Sequence, residues 1–340
     1  MYNWKISFIV LNLDIIEHIL RIVKDLDSKW SKKIMKYVIT GGAGFIGSHL
    51  TKALVKQDHD VTVIDNLQTG KEENLKSIKD KIVFVKGSIL DNELLQRITN
   101  GIDGLFHQAA LASVQDSFAK PDEYNDVNVN GTENILKLAE KNKFKVVYAS
   151  SSSVYGNPER IPIKEEDSKN PINPYAKTKL EKEELAKKYS KLGVSVIGLR
   201  YFNVFGKGQS KEYAGVLKLF LERIRDGLPP KINGDGTQFR DFVYVEDVAN
   251  ANIMSMDSNV NHDFFNVGTN TSITILDLAK TIIKFSDLKI EPVFGPELKG
   301  DVKRTVADIS LIENKVSWKP TVFLENWIED IVSMKKFDEI

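Results

Sequence analysis

Short apolar runs alternate with longer amphipathic segments along most of the chain. The runs are rich in Val and Ile, as is typical of strands buried on both faces of a parallel sheet. They are Tyr37–Ile39, Val61–Ile64, Ile82–Val85, Gly104–His107, Val146–Ala149 and Val194–Leu199. Between them lie segments with helical spacing, such as Val129–Glu140 and Tyr175–Lys191. This alternation predicts an α/β fold with a doubly wound parallel sheet, whose strands all end at the edge where ligands bind.

The pattern becomes less regular after residue 203, where turn residues are frequent. We therefore expect the sheet domain to span residues 35–203, and residues 204–340 to form mainly a smaller C-terminal lobe that binds substrate. Residues 1–34 precede the first strand as an N-terminal extension. An amphipathic helix is predicted there by apolar residues at helical spacing, which are Ile15, Ile16, Ile19, Leu20, Ile22, Val23 and Leu26.

Composition narrows the classes of function. The 340 residues include 47 basic and 47 acidic side chains, so no net charge attracts nucleic acid or an anionic membrane. The chain has no cysteine, which excludes disulfides, thiolate metal sites and a catalytic thiol. The five histidines lack metal-ligand spacing, so we expect no metal. No apolar run is long enough to span a bilayer. This composition is typical of a soluble enzyme, which we expect to be cytoplasmic.

A glycine-rich segment, KYVITGGAGFIGSHL over residues 36–50, joins the first predicted strand to a helix. Gly41 allows a sharp turn, Gly44 lets the backbone approach a pyrophosphate, and Gly47 lets the helix pack closely on the strand. The second strand ends at Asp65, about 20 residues further on, where an acid binds ribose hydroxyls and repels a 2′-phosphate. The segment therefore predicts a Rossmann dinucleotide site for NAD.

Hydroxyl and amine groups that suit alcohol–ketone chemistry occur further along. Tyr175 and Lys179 are four residues apart and share one helix face. A nearby ammonium lowers the pKa of a phenol, which is too high for a base at neutral pH when unperturbed. The serine run Ser150–Ser153 ends the preceding strand at the same sheet edge, and Ser151 there can share a proton with Tyr175 and hold the reacting oxygen.

From Met35 to about Trp327 the chain resembles the nucleotide-sugar epimerases of the extended short-chain dehydrogenase/reductase family. The matching motifs are TGGAGFIGSHL (40–50), HQAALASV (107–114), NVNGTENIL (128–136), SSSSVYG (150–156), PYAKTK (174–179), RYFNVFG (200–206), GDGTQFRDFVYVEDV (234–248) and GDVKRTVAD (300–308). Their order over most of the chain makes a chance match negligible.

The resemblance implies roles for individual residues. The catalytic residues would be Ser151, Tyr175 and Lys179. The expected contacts of the NAD cofactor are Gly41, Gly44, Phe45, Ile46, Gly47, Asp65, Asn66, Ser88, Ile89, Gln108, Ala109, Ala110, Asn128, Tyr175, Lys179 and Tyr201. The expected contacts of the nucleotide-sugar are Ser151, Ser152, Ser153, Asn203, Val216, Arg240 and Thr305. For Arg240 and Asn203 the residue type gives a physical reason as well. A guanidinium can clamp a diphosphate, and an exposed amide can bind sugar or phosphate.

Three departures from the family pattern bear on function. Ser88 replaces an acid that contacts adenine, so NAD would be held somewhat differently. A second basic clamp on the diphosphate is missing or has moved to Lys299 or Arg304. The pair Ser152-Ser153 stands where the family's 4,6-dehydratases carry Asp-Glu, and its decarboxylases also use a Glu there, so both of these activities are disfavoured.

The leading hypothesis is an NAD-dependent 4-epimerase that acts on a UDP-sugar through a transient 4-keto sugar. Thr305 lies where epimerases restricted to glucose and galactose tend to carry Tyr. We therefore expect use of UDP-N-acetylglucosamine and UDP-N-acetylgalactosamine, with UDP-glucose and UDP-galactose also accepted. One alternative is a UDP-glucuronate 4-epimerase, against which Asn203 argues. Another is a non-catalytic NAD-binding protein, against which the intact catalytic residues argue.

A homodimer is also expected by resemblance, through the helices around Val129–Glu140 and Tyr175–Lys191. Apolar residues on these helices could pair across a two-fold axis, although contacts with the sheet would explain the same residues.

Overall fold

The computed structural model describes residues 33–209, 215–298, 300 and 302–337. The predicted helix within residues 15–26 and the candidate clamp Lys299 lie outside this described part. No helix within the described ranges is long and apolar enough to cross a membrane.

A parallel sheet forms the centre of the fold and, within the described residues, has seven strands. In chain order these strands are β1 (Lys36–Thr40), β2 (Asp60–Asp65), β3 (Ile82–Lys86), β4 (Gly104–His107), β5 (Lys145–Ser151), β6 (Val196–Tyr201) and β11 (His262–Val267). Their spatial order is β11-β6-β5-β4-β1-β2-β3, and each neighbouring pair is parallel. The predicted doubly wound sheet is confirmed. The order reverses direction between β1 and β4, the kind of point where such sheets bind ligands.

Short strands complete the C-terminal part: β7 (Asn203–Phe205), β8 (Lys231–Asn233), β9 (Phe239–Arg240), β10 (Phe242–Tyr244), β12 (Ile273–Thr274) and β13 (Val293–Gly295). They pair as β7 with β10, β9 with β12 and β8 with β13.

The helices flank these sheets. They are α1 (Phe45–Lys56), α2 (Asn92–Ile98), α3 (Val114–Ala119), α4 (Pro121–Asn125), α5 (Gly131–Asn142), α6 (Pro174–Ser190), α7 (Val216–Arg225), α8 (Val245–Asp257), α9 (Ile275–Phe285), α10 (Ser310–Val316) and α11 (Leu324–Ser333). Residues Asp126–Asn130 form one π-helical turn before α5, a feature that is frequent at functional sites.

Helix α6 begins at a position set by its own sequence. The Asn173 side chain accepts a hydrogen bond from the backbone N–H of Ala176 at 2.8 Å, and Pro174 occupies the first helical turn, where its missing N–H is not needed. This start places Tyr175 and Lys179 beside the end of β5.

Among the described residues, one apolar cluster stabilises the sheet region and another the C-terminal part. One lies between the sheet and helices α5 and α6, and includes Ile135 and Leu136, which are fully buried. The other lies in the C-terminal part, where α7, α9 and α11 bury residues such as Phe220 and Ile328. Strand β11 returns the chain from this second region to the main sheet, beside β6.

Candidate active site

A cleft of about 720 Å³ opens at the carboxyl edge of the sheet. Its walls include the glycine turn after β1, the ends of β2 to β6, and the first turns of α6. Every residue expected to contact NAD lines this cleft except Asn128. Of the expected substrate contacts, Ser151 and Asn203 line it, whereas Ser152, Ser153, Val216, Arg240 and Thr305 are not among its described lining residues.

The glycine turn lets neighbouring backbone segments approach each other closely. Gly41 has φ +69°, and a Cβ there would lie 2.7 Å from the backbone nitrogen of Ala109. A Cβ on Gly47 would lie 2.1 Å from the Gly41 carbonyl oxygen, so this position also requires glycine. A Cβ on Gly44 would meet only that same oxygen, at 3.2 Å, and would otherwise project into open space.

That open space suits a pyrophosphate. Helix α1 begins at Phe45, directly after Gly44, and no side chain within the described residues caps it. Its first N–H groups therefore face the cleft with the positive end of the helix dipole, which favours a bound anion. The residues present fit the NAD that the sequence predicts.

Asp65 lies beside this turn as the sequence predicts. Its carboxylate accepts hydrogen bonds from the backbone N–H of Ala43 at 3.0 Å and of Leu67 at 2.8 Å. Burial raises the pKa of Asp65, and these two bonds partly offset the rise because they stabilise the anion. Ser88, the departure from the family pattern, lines the cleft and accepts a hydrogen bond from the Leu90 N–H at 3.2 Å.

Ser151 and Tyr175 meet at the cleft. Both side chains line it, and the Ser151 oxygen accepts the backbone N–H of Ser153 at 3.2 Å. Because Ser153 donates to that oxygen, the Ser151 proton is available to the phenol oxygen. Burial raises the pKa of Tyr175, and the Ser151 hydroxyl opposes this by stabilising the phenolate.

Lys179 lies one turn further along α6. Its Nζ donates to the carbonyl oxygen of Ala149 at 3.1 Å and lies 5.5 Å from the centroid of the Tyr175 ring. Burial lowers the pKa of Lys179 to about 8. At neutral pH the amine is therefore still protonated, and its charge favours the phenolate form of Tyr175.

Asn128 is not among the described residues that line the cleft, but it connects two segments that form the cleft wall. Its Oδ1 accepts from the Leu111 N–H at 2.9 Å, and its Nδ2 donates to the Leu111 carbonyl and to Thr178 Oγ1, both at 3.0 Å. The amide thus ties the loop after β4 to α6. Its expected contact with NAD stays a prediction.

A buried chain of hydrogen bonds fixes the same loop. Thr132 Oγ1 donates to the Asn128 carbonyl at 2.6 Å, so it accepts from His107 Nε2 at 2.9 Å. His107 Nδ1 then accepts from Thr40 Oγ1 at 2.7 Å, and Thr40 accepts from the Ala109 N–H at 3.2 Å. Burial lowers the pKa of His107 well below its usual value, which keeps the ring neutral as this chain requires.

The amino-acid sequence that forms this cleft identifies the protein family. The model of the NAD dependent epimerase/dehydratase family matches residues 37–268, more than half of the chain. The chain belongs to this family.

Relatives within the family agree with this assignment. A putative UDP-glucose 4-epimerase of Methanocaldococcus jannaschii is 38% identical over 304 residues, which cover 88% of this chain and 98% of that one. The UDP-N-acetyl-alpha-D-glucosaminuronate decarboxylase of Bacillus cytotoxicus is 33% identical over 308 residues, covering 87% and 96%. The solved UDP-N-acetylglucosamine 4-epimerase from Methanobrevibacter ruminantium, in complex with UDP-N-acetylmuramic acid, superimposes with a TM-score of 0.84 at 38% identity, covering 90% and 99%.

This epimerase-family chain has a second polar network, which the sequence did not predict. Asn252 on α8 is fully buried and accepts from Gln108 Nε2 at 2.9 Å. Its own amide donates to the Tyr201 phenol at 2.8 Å and to the Val248 carbonyl at 2.8 Å. Asn252 therefore positions two cleft residues at once. The sequence gives no local sign of this, because Gln108 and Tyr201 are far from Asn252 in the chain.

A buried ion pair underlies the serine run. Arg200 on β6 and Glu183 on α6 form two hydrogen bonds, of 2.8 and 2.7 Å, with side chains 2% and 0% exposed. Ser150 Oγ donates to the same carboxylate at 2.7 Å. The pair thus links the end of β5 to the helix that carries Tyr175 and Lys179.

At the substrate end, Asp241 is the organising group. Its buried carboxylate accepts hydrogen bonds from Thr269 and from the Ala307 N–H, and burial raises its pKa to about 6. The Asp241 carbonyl accepts both the backbone N–H and the side-chain amide of Asn203 at 3.0 Å. These bonds join Asn203, at the cleft, to the strand that ends with Arg240.

Arg240 and Thr305 are close in the fold. Arg240 is 8% exposed and donates to the Phe239 carbonyl at 2.9 Å, and the same carbonyl accepts the Thr305 N–H at 3.2 Å. Thr305 is 6% exposed, and its hydroxyl has no hydrogen-bond partner within the described part of the chain. Arg304, the described candidate for a second clamp, is exposed, whereas Lys218 and Arg225 on α7 line the cleft and were not foreseen.

Proposed function

We propose that this protein is an NAD-dependent 4-epimerase of UDP-sugars. The observation that carries the proposal is that Ser151, Tyr175 and Lys179 line one cleft together with the glycine turn, with Lys179 Nζ 5.5 Å from the centroid of the Tyr175 ring. This arrangement suits reversible oxidation of a secondary alcohol, and the most similar relatives include UDP-sugar 4-epimerases.

NAD, when bound, supplies the acceptor and later the donor of the C4 hydride. Tyr175, as phenolate, takes the proton of the C4 hydroxyl. Ser151 holds that oxygen in line with Tyr175, and the Lys179 charge stabilises the phenolate. After the 4-keto sugar has turned over, Tyr175 returns the proton to the oxygen of the opposite epimer.

The serines after Ser151 argue for epimerisation over other reactions of the family. Ser152 and Ser153 carry hydroxyls, whose pKa is too high for the acid that expels water in a 4,6-dehydratase or assists a decarboxylase. We therefore propose that the similarity to a decarboxylase reflects shared binding of a nucleotide-sugar. Asn203 argues against a UDP-glucuronate 4-epimerase.

Incubation of the purified protein with UDP-glucose and, separately, UDP-N-acetylglucosamine tests the proposal. We expect each sugar to be converted into a mixture with its 4-epimer, resolved by anion-exchange chromatography. If neither epimer forms while NAD is bound, the chain is a binding protein.

Arg240 is proposed to hold the diphosphate while the sugar turns over. A guanidinium can bind two phosphate oxygens at once, which a rotating sugar requires of its anchor. Lys218 and Arg225, on the cleft wall formed by α7, are proposed to supply the second positive charge that the family pattern lacks here.

We expect Thr305→Tyr to lower turnover of UDP-N-acetylglucosamine by about 100-fold and to spare UDP-galactose. A phenol ring at this position would occupy the space that an N-acetyl group on C2 needs, whereas a smaller residue admits both sugars. Initial rates on the two substrates measure the effect, and UDP-galactose serves as the internal control. Equal loss on both sugars, or no loss on either, would place Thr305 outside the C2 pocket.

A homodimer is proposed through α5 and α6. Ile135 and Leu136 are buried against the sheet, but Leu138, Leu180 and Leu185 on the same helices are only half-buried. Pairing these faces across a two-fold axis would cover them in a four-helix bundle. Light scattering at micromolar concentration should give twice the mass of the chain, and a monomer would refute the dimer. The cytoplasm is the proposed location, as the composition suggests.

A further inference from the structure

Lys182 is a second lysine buried beside the catalytic one. It lies on α6 three residues after Lys179, is 0% exposed, and is not among the described residues that line the cleft. Its Nζ donates to the Ala149 carbonyl oxygen at 3.4 Å, the oxygen that also accepts from Lys179 at 3.1 Å. Two buried amines therefore share one acceptor.

The groups around Lys182 do not neutralise a second cation. The Tyr148 ring on β5 lies 5.5 Å from the Lys182 nitrogen, and the phenol oxygen of Tyr148 has no hydrogen-bond partner within the described residues. His107 on β4 is neutral, because burial lowers its pKa well below the usual value. The adjacent acid, Glu183, is committed to Arg200 on β6.

Like charges this close in a buried site cannot both persist. Burial lowers the pKa of Lys182 well below its usual value, and the charge on Lys179 lowers it further. Lys179 keeps its proton up to about pH 8. Since only one of two such amines can stay charged, the proton belongs on Lys179, which makes the shorter bond to the shared carbonyl, 3.1 Å against 3.4 Å. The neutral Lys182 amine then offers a lone pair.

We propose that Lys182 is a positioning residue for the catalytic ammonium: its neutral amine accepts a hydrogen bond from Lys179 and so stabilises the charged form of Lys179 beside Tyr175. The proposal rests on the proposed function for the role of Lys179. The protonation state of Lys182 does not depend on activity and can be measured separately.

Carbon-13 NMR of the full protein, labelled at lysine Cε, measures both amines without any turnover. Lys182→Met and Lys179→Met assign the two signals. We expect a neutral Lys182 at pH 7, and we expect Lys179 to titrate about one pH unit lower in Lys182→Met because its acceptor is gone. A cationic Lys182 at pH 7 would overturn the proposal. So would a Lys179 that titrates higher in Lys182→Met, because Lys182 would then be a repelling charge.

The pH dependence of turnover gives a second test of the role of Lys182. In the unchanged protein we expect the rate to fall as the pH rises through about 8, where Lys179 loses its proton. Lys182→Met should move this fall about one unit lower, and Lys182→Gln should restore it because the amide oxygen can accept from Lys179. Lys177→Met, an exposed lysine on the same helix, is the control and should leave the profile unchanged.

The outcomes separate the explanations. A structural role alone would change the melting temperature of Lys182→Met and leave the pH profile in place, which would overturn the proposal. If the unchanged protein does not epimerise UDP-sugars at any pH, the proposed function fails, and the NMR titration still decides the state of Lys182. If Lys182→Met does not fold, Lys182→Gln and the titration of the unchanged protein carry the test.

Discussion

Tyr175→Phe should lower turnover by about 1,000-fold on every UDP-sugar that the protein accepts. The substitution removes the phenol oxygen that takes the C4 proton and leaves the ring, which packs beside Lys179. Steady-state rates with UDP-glucose and UDP-N-acetylglucosamine measure the loss. Isothermal titration with NAD should show nearly unchanged binding, because the pyrophosphate cradle and Asp65 are untouched.

Tyr189→Phe is a matched control for this substitution. Tyr189 lies on the same helix, is buried, and donates to the surface acid Glu133 at 3.3 Å. Loss of that hydroxyl should leave turnover within about two-fold of the unchanged protein, since an ordinary hydrogen bond contributes little. If Tyr175→Phe keeps its turnover, another group is the base. If it loses NAD instead, Tyr175 serves mainly in cofactor binding.

Glu183→Gln should lower the free energy of unfolding by about 3–5 kcal/mol. The carboxylate is the buried counter-ion of Arg200, and an uncharged amide cannot compensate the guanidinium, whose pKa the Glu183 carboxylate and the Tyr155 phenol raise. The amide also replaces one acceptor oxygen with a donor, which disturbs the hydrogen bond from Ser150. Urea denaturation followed by circular dichroism measures the change.

Glu184→Gln tests whether burial of the Glu183–Arg200 pair is the cause of the lower stability expected for Glu183→Gln. Glu184 is the next residue, 61% exposed, and its ion pair with Lys187 lies on the surface at 2.7 Å. Exposed pairs of this kind contribute about 0–1 kcal/mol, so this variant should unfold almost like the unchanged protein. Equal losses in the two variants would mean that charge at this end of α6, and not the buried pair, governs stability.

The framework of the cleft is predictable from the amino-acid sequence. The apolar runs predicted the strands β1 to β6, because strands inside a parallel sheet need continuous apolar segments; β3, at the sheet edge, is only partly buried. Gly41, Gly44 and Gly47 predicted the turn, since their lack of a Cβ is a local property that no distant contact can replace. The spacing of Tyr175 and Lys179 predicted that both face one side of α6, and they do line the same cleft.

Packing of the folded chain determines which polar groups are buried and which groups they contact. Asn128, Asn252 and the Glu183–Arg200 pair each bind partners that are far away in sequence, so no local pattern distinguishes them from surface residues. The same holds for β11, which joins the main sheet only after the chain has passed through the short strands β7 to β10. Lys182 is the clearest example of such a buried polar group, because on an isolated helix it would be solvated and charged. Packing against β5 removes its water and leaves it one shared carbonyl, and this desolvation lowers its pKa.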